Sequence, residues 1–330
     1  MARALALTLI MAGVLTPAFT TPPGPGFLLV ANKGDQSLGL IDPDAGHQIA
    51  TVAEGGVTGH EVAASPDGSQ AFVPIYGDSG VGLPGTNGST MAVIDLGDRR
   101  LIHTIDFGRG VRPHCAVFGP KDGLLYVTTE LDKSVTVIDP LTLKIVGSVP
   151  TGQAESHMLA ISPDGLKGYT ANVGPGTVSV LDLAGRKTLA VIPVAGHVQR
   201  VSVTPDGRWA FTSDTEKPRL AVIDTATNRV DRWIVLPGTG YGTASTPDGK
   251  WLLVAIPSTN EIAGVDMATM RVVRTIKVPP SPQEVLIRPD GQVAYVSCSA
   301  SHQVAAIGID NWGVKLIEAG RGADGLAWAK

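Results

Sequence analysis

The stretch Ile161–Lys187, ISPDGLKGYTANVGPGTVSVLDLAGRK, holds most of what is needed to read the fold. Pro163-Asp164-Gly165 separates two short apolar runs: proline presets a turn and glycine accepts positive φ. The next run ends at Asp182, whose carboxylate can cap the following turn through its own backbone. With LAVIPV behind it, the segment reads as four strands, roughly HMLAIS, GYTANV, TVSVLD and LAVIPV.

The same punctuation recurs along the chain. Prolines of the turn marker stand at Pro66, Pro120, Pro163, Pro205, Pro247 and Pro289, and the last three steps are 42 residues each. The strand-closing aspartate appears at Asp42, Asp95, Asp139, Asp182, Asp224, Asp266 and Asp310. A four-stranded unit repeating at about 42 residues is the signature of a propeller blade. Six prolines against seven aspartates point to ring closure. FLLVAN, SLGLID and QIATVA supply the second to fourth strands of one blade, and Gly325–Lys330 supplies its missing first strand. The expectation is an all-β, seven-bladed propeller, its ring closed by the C-terminal strand joining the N-terminal blade.

The bulk properties agree. The chain of 330 residues has 40 glycines, 24 prolines and only 17% charged residues, as expected of many short strands joined by tight turns. A net charge of −4 argues against a nucleic-acid grip, which needs dense Lys and Arg. Arg3, the apolar run Ala4–Leu15 and the small-residue exit Thr16–Thr20 read as a signal peptide over 1–20, with a leader at 21–26 and one propeller domain over 27–330. The expected location is periplasmic or secreted, with no membrane insertion of the mature chain. Cys115 and Cys298 lie far apart in sequence and carry no pairing signal.

The pattern resembles the YVTN-type β-propeller repeat family, which includes the YncE-like exported proteins. The carrying residues are Ile161–Lys187, Leu125–Gly152 and Ala294–Asp310. The resemblance spans the mature chain and implies the fold. Its relatives include ligand binders, DNA binders and proteins without known activity, so it implies no single function. The segment after the second strand departs from the family's regular T-N, with TTE, ANV, TSD and VSC in its place.

Aligning the blades on the turn places one residue of each at the mouth of the innermost strand. Six positions before the proline stand His60, His114, His157, Gln199, Tyr241 and Gln283, with Asp324 as the seventh. Neighbouring blades bring such side chains to roughly 5 Å at the backbone. Three imidazoles in consecutive blades could therefore converge on one divalent ion, copper or zinc, with a fourth position open. Glu61 and Arg112 are candidate supporting or anion-holding groups. Tyr241 and Asp324 are candidate proton-handling residues, and His302 is a further ligand candidate on the same face. The bland alternative is a solvated polar funnel. His47 and His103 fall in outermost strands and read as surface residues, and His197 as a loop residue.

Between Tyr76 and Thr90 the second blade carries a Gly-rich insertion, YGDSGVGLPGTNGST, joining its second and third strands on the face of the aligned histidines. Such loops carry function or are tolerated additions. No G-x-S-x-G, Walker A, H-E-x-x-H or C-x-x-C-H motif occurs. Carboxylates do not cluster in the aligned ring, so an acidic lactonase-type site is not expected. Three readings stay open. The first is a His-lined axial pocket for a metal or small molecule, catalytic or not. The second is a scaffold whose loop face docks a protein, glycan or nucleic acid. The third is a lactonase-like hydrolase.

Overall fold

The computed structural model describes residues 26–330. The expected signal peptide (1–20) and all but the last residue of the expected leader (21–26) lie outside them. Seven four-stranded antiparallel sheets form the ring of a seven-bladed propeller. In the blade read first from sequence, the strands are Ser156–Ile161, Lys167–Asn172, Thr177–Asp182 and Lys187–Pro193, in that order from axis to rim. The C-terminal strand Ala323–Ala329 pairs antiparallel with Phe27–Asn32, so the two ends of the chain share a blade. The ring leaves only short edge strands, one at the axis and one at the rim of each blade.

The turn chemistry explains the repeat. In the fourth blade Ser162 O accepts the Gly165 N–H at 2.8 Å, and Asp164 Oδ1 accepts from the Ser162 hydroxyl and the Leu166 N–H. Gly165 sits at φ +67°, a conformation that costs a side chain dearly. The strand-closing aspartates act as read: Asp139 Oδ1 accepts from Leu141 N–H, and Asp224 Oδ1 from Thr227 N–H. The seventh blade departs from the pattern. Its third strand ends at Gly308, and Asn311 rather than Asp310 caps the turn, accepting the Gly313 N–H at 2.8 Å.

Packing follows strand position. Second and third strands are buried on both faces between neighbouring blades, as in LYVTT and SVTVID of the third blade. Each rim strand is exposed or half-buried except for one fully inward residue: Val52, Ile105, Val149, Ile192, Ile234, Ile276 and Ile317 occupy equivalent places and are at most 9% exposed. His47 and His103 lie exposed on two of these rim strands. Cys115 and Cys298 are buried and unbridged. Among the described residues, no helix is long and apolar enough to cross a membrane.

Candidate functional site

The innermost strands bring the aligned residues to one end of the axis, and the backbone there is tied from blade to blade. The Thr128 hydroxyl accepts the Cys115 N–H at 2.9 Å and donates to His157 O at 2.7 Å, fixing His114 and His157 side by side. In the fifth blade the Thr212 hydroxyl donates to Arg200 O at 2.7 Å.

Two tiers result. The outer one is aromatic. The His114 and His157 rings lie 3.6 Å apart by centroid at 33°, close to stacked, and His60 stands 5.3 Å from His114, edge to face. Tyr76, at the base of the insertion, packs within 6.0 Å of all three. Burial, and then the other imidazoles and the Arg200 charge, hold His114 and His157 neutral, their pKa well below the usual histidine range. Burial lowers His60 to about 4. The Nδ1 atoms of His114 and His157 are buried without a hydrogen-bond partner, an arrangement that costs free energy unless something supplies the missing bond.

The inner tier is ionic. Arg200 Nη2 donates to Glu61 Oε1 at 2.8 Å and to Asp324 Oδ1 at 3.3 Å, and its Nη1 lies 3.8 Å from Glu284 Oε1. Lys33, in the turn after Phe27–Asn32, reaches Asp324 at 3.3 Å, and Glu284 accepts the Leu326 N–H at 2.6 Å. Burial raises the pKa of Glu61 and of Glu284, with Arg200 opposing the rise in both. The expectation that carboxylates do not cluster here is therefore corrected. Glu61 and Glu284 stand one position after the aligned ring, in the second and seventh blades, and only ring closure gathers them with Asp324. Arg200 and Glu284 escaped the sequence reading for the same reason. The available signal was a second aligned ring, five residues before each proline, in which Glu61, Arg200 and Glu284 are the charged members.

The other candidates are placed as follows. Tyr241 lies under the Arg200 guanidinium, 5.2 Å from ring centre to Cζ, and burial pushes its phenol up to about 12. Gln199 is half-buried, and Gln283 Nε2 donates to the Ser281 hydroxyl at 2.9 Å. Arg112 spends its guanidinium on the insertion. Its Nε donates to Asn87 Oδ1 at 2.7 Å, Nη2 to Leu83 O at 2.7 Å and Nη1 to Glu130 Oε1 at 3.3 Å. Glu130 in turn accepts from the Tyr76 hydroxyl and the Gly82 N–H. The loop is thus pinned to the histidine tier by a buried ion pair. His302 is exposed in the turn after Val293–Cys298 and accepts the Gly322 N–H at 3.3 Å. His197 is exposed and meets Glu216 at 2.9 Å.

Among the described residues, no three His, Cys, Asp or Glu side chains are preset around a single point for a metal ion. Two imidazoles on one tetrahedral ion stand about 5 Å apart by centroid when each N–metal bond is ~2 Å. The His60–His114 spacing of 5.3 Å fits that geometry. The 3.6 Å stack of His114 on His157 does not, unless one ring turns.

No family model matches the chain, and no curated protein matches it either. The resemblance to YVTN-type repeats therefore rests on the repeat residues alone. Solved propeller structures are similar. A chain of hydrazine synthase from Kuenenia stuttgartiensis superposes with a TM-score of 0.74 at 21% identity, covering 90% of this chain and 99% of that one. A periplasmic gluconolactonase from Pseudomonas aeruginosa gives 0.73 at 19%, covering 92% and 99%. A protein of unknown function from Desulfotomaculum acetoxidans gives 0.73 at 14%, covering 92% and 98%. At these identities the likeness is one of fold.

Proposed function

We propose that this chain is an exported propeller that binds one copper or zinc ion at the channel mouth through His60, His114 and His157. The observation that carries the reading is the pair of buried, neutral imidazoles whose Nδ1 atoms have no partner. Neutral imidazole is the form that ligates metal, so no proton has to leave. Binding requires the His157 ring to turn out of its stack on His114. The bound ion would supply Lewis acidity at an open position. Tyr76, held between the imidazoles and Glu130, would fix the ring orientations. Tyr241, protonated at neutral pH, would be a hydrogen-bond donor across the channel, and Asp324 is engaged by Lys33 and Arg200. The periplasm or the exterior suits the N-terminal sequence pattern and a fold shared with a periplasmic enzyme.

Elemental analysis of the mature protein, expressed to the periplasm beside His114→Ala, tests the reading. About one equivalent of copper or zinc, lost in the variant, is expected. Protein that stays metal-free after incubation with both ions overturns it. A second reading then takes over: a module that docks a partner on the loop face, where the insertion is rigidly anchored yet leaves Leu83 61% exposed. The lactonase-like reading draws on the clustered carboxylates of the inner tier and on the fold shared with a gluconolactonase.

A further inference from the structure

Each innermost strand runs from the histidine face of the ring to the Pro-Asp-Gly turns on the other. There the turns of the fifth and sixth blades border a groove of about 700 Å³, a size that takes a small organic molecule or a few units of a chain. Trp209 and Trp251 line it, one from each blade, both half-buried at the first position of a second strand. Their backbone oxygens accept the Thr204 and Thr246 N–H groups at 2.9 Å and so close the two turns. The fold does not ask for tryptophan at this place. The same bond is made by Gln70, Leu124, Lys167 and Val293 in the other four blades that carry the turn.

Residues outside the groove brace both rings. Arg232 lies 5.9 Å from the Trp209 ring centre, Trp312 meets Trp251 edge to face at 5.0 Å, and Arg274 stands 5.9 and 4.6 Å from those two rings. Rings already fixed lose little freedom when a ligand settles on them. The polar groups are of both kinds. Asp206 and Asp266 each give Oδ1 to their own turn and keep Oδ2 unbonded among the described residues. Asp248 pairs with Lys250 at 3.1 Å, and the Arg208 guanidinium lies 4.8 Å from the Trp209 ring centre. The three carboxylates are balanced by Arg208, Lys250 and Arg271, which pairs in register with Asp266. Such a balance favours neither an anion nor a cation.

We infer that this groove binds a neutral oligosaccharide. The C–H groups on the flat side of a sugar ring carry partial positive charge and settle on the negative face of an indole. Sugar hydroxyls donate to the free carboxylate oxygens of Asp206 and Asp266 and accept from Arg208 and Lys250. Facing sheets pack about 10 Å apart, so tryptophans on adjacent blades reach different rings of one short chain. A proline-rich peptide brings carbonyl acceptors and few N–H donors, which leaves the carboxylates unanswered. A polyanion meets three carboxylates. The groove is remote from the histidine tier, and its occupancy does not depend on a metal there.

Titration calorimetry on the mature protein tests the assignment with maltopentaose, cellopentaose, penta-N-acetylchitopentaose, pentagalacturonate and decaproline. At least one of the neutral sugars is expected to bind, with pentagalacturonate and decaproline weaker by about tenfold or more. Trp209→Val and Trp251→Val are each expected to weaken the sugar that binds by about tenfold. Valine already holds this place in the seventh blade, so the fold accommodates it. Selectivity among the probes is read on the wild type, so a folding defect in a variant does not remove the test. The absence of binding by every neutral sugar at millimolar concentration overturns the proposal. So does equal or tighter binding of pentagalacturonate or decaproline, or sugar affinity unchanged in either tryptophan variant.

Discussion

Replacing Arg200 with Met removes the one guanidinium that Glu61, Asp324 and the half-buried Glu284 share. Methionine fills similar space, so the perturbation is mainly one of charge. Breaking a buried pair by deleting one partner costs about 3–5 kcal/mol, because the surviving charge stays buried. The stacking of Arg200 over Tyr241, 5.2 Å from the ring centre, adds about 1–2 kcal/mol. The carboxyl groups can limit the loss by taking up protons, which gives the prediction a direction in pH. Without Arg200, Glu61 and Glu284 rise further above their unfolded values. The folded variant then holds protons that its unfolded chain releases, and it loses stability as pH rises. Urea unfolding followed by the five tryptophans should show a loss of about 4 kcal/mol at pH 7 and a clearly smaller one at pH 5. Adding Glu61→Gln and Glu284→Gln to Arg200→Met should recover most of it. A loss under ~1 kcal/mol at pH 7, or one equal at both pH values, would refute the view that Arg200 holds the tier together.

Two other outcomes follow from single residues. Burial pushes Glu54 up to about 7; its Oε1 accepts the Gly59 N–H at 2.6 Å while Oε2 is buried without a partner. Its folded value lies above the ordinary 4.5, so its contribution is full below about pH 4.5 and lost as pH rises through 7. Wild type should therefore lose about 3 kcal/mol more than Glu54→Gln between pH 4.5 and 7.5 in urea titrations, and parallel curves would contradict this. Tyr76→Phe deletes the hydroxyl bonded to Glu130 and should cost about 1–2 kcal/mol. Amide exchange across residues 78–86 should quicken several-fold, whereas unchanged exchange would show that Arg112 anchors the insertion unaided.

The histidine trio was legible because the turn marker supplies a ruler: six residues back from Pro66, Pro120 and Pro163 stand His60, His114 and His157. Their placement in consecutive blades does bring them together. Their partner Tyr76 was less visible. It lies at the end of a second strand, outside the aligned ring, with its hydroxyl bonded to Glu130, which Arg112 also engages. Arg112 itself read as a group for ligands, yet its donors go to Asn87, Leu83 and Glu130.

What the chain decided locally was its period and its turns, which follow from φ preferences at glycine and proline acting over a few residues. The seam between Phe27–Asn32 and Ala323–Ala329 was readable from the count of repeat markers. What tertiary structure alone decided was the charge pattern along the axis. Glu61, Arg200, Glu284 and Asp324 come from four blades, and their separations in sequence, 139 residues between Glu61 and Arg200, carry no trace of contact. Electrostatic energy depends on distance and burial, and in a closed ring both are set by which blades face each other across the channel.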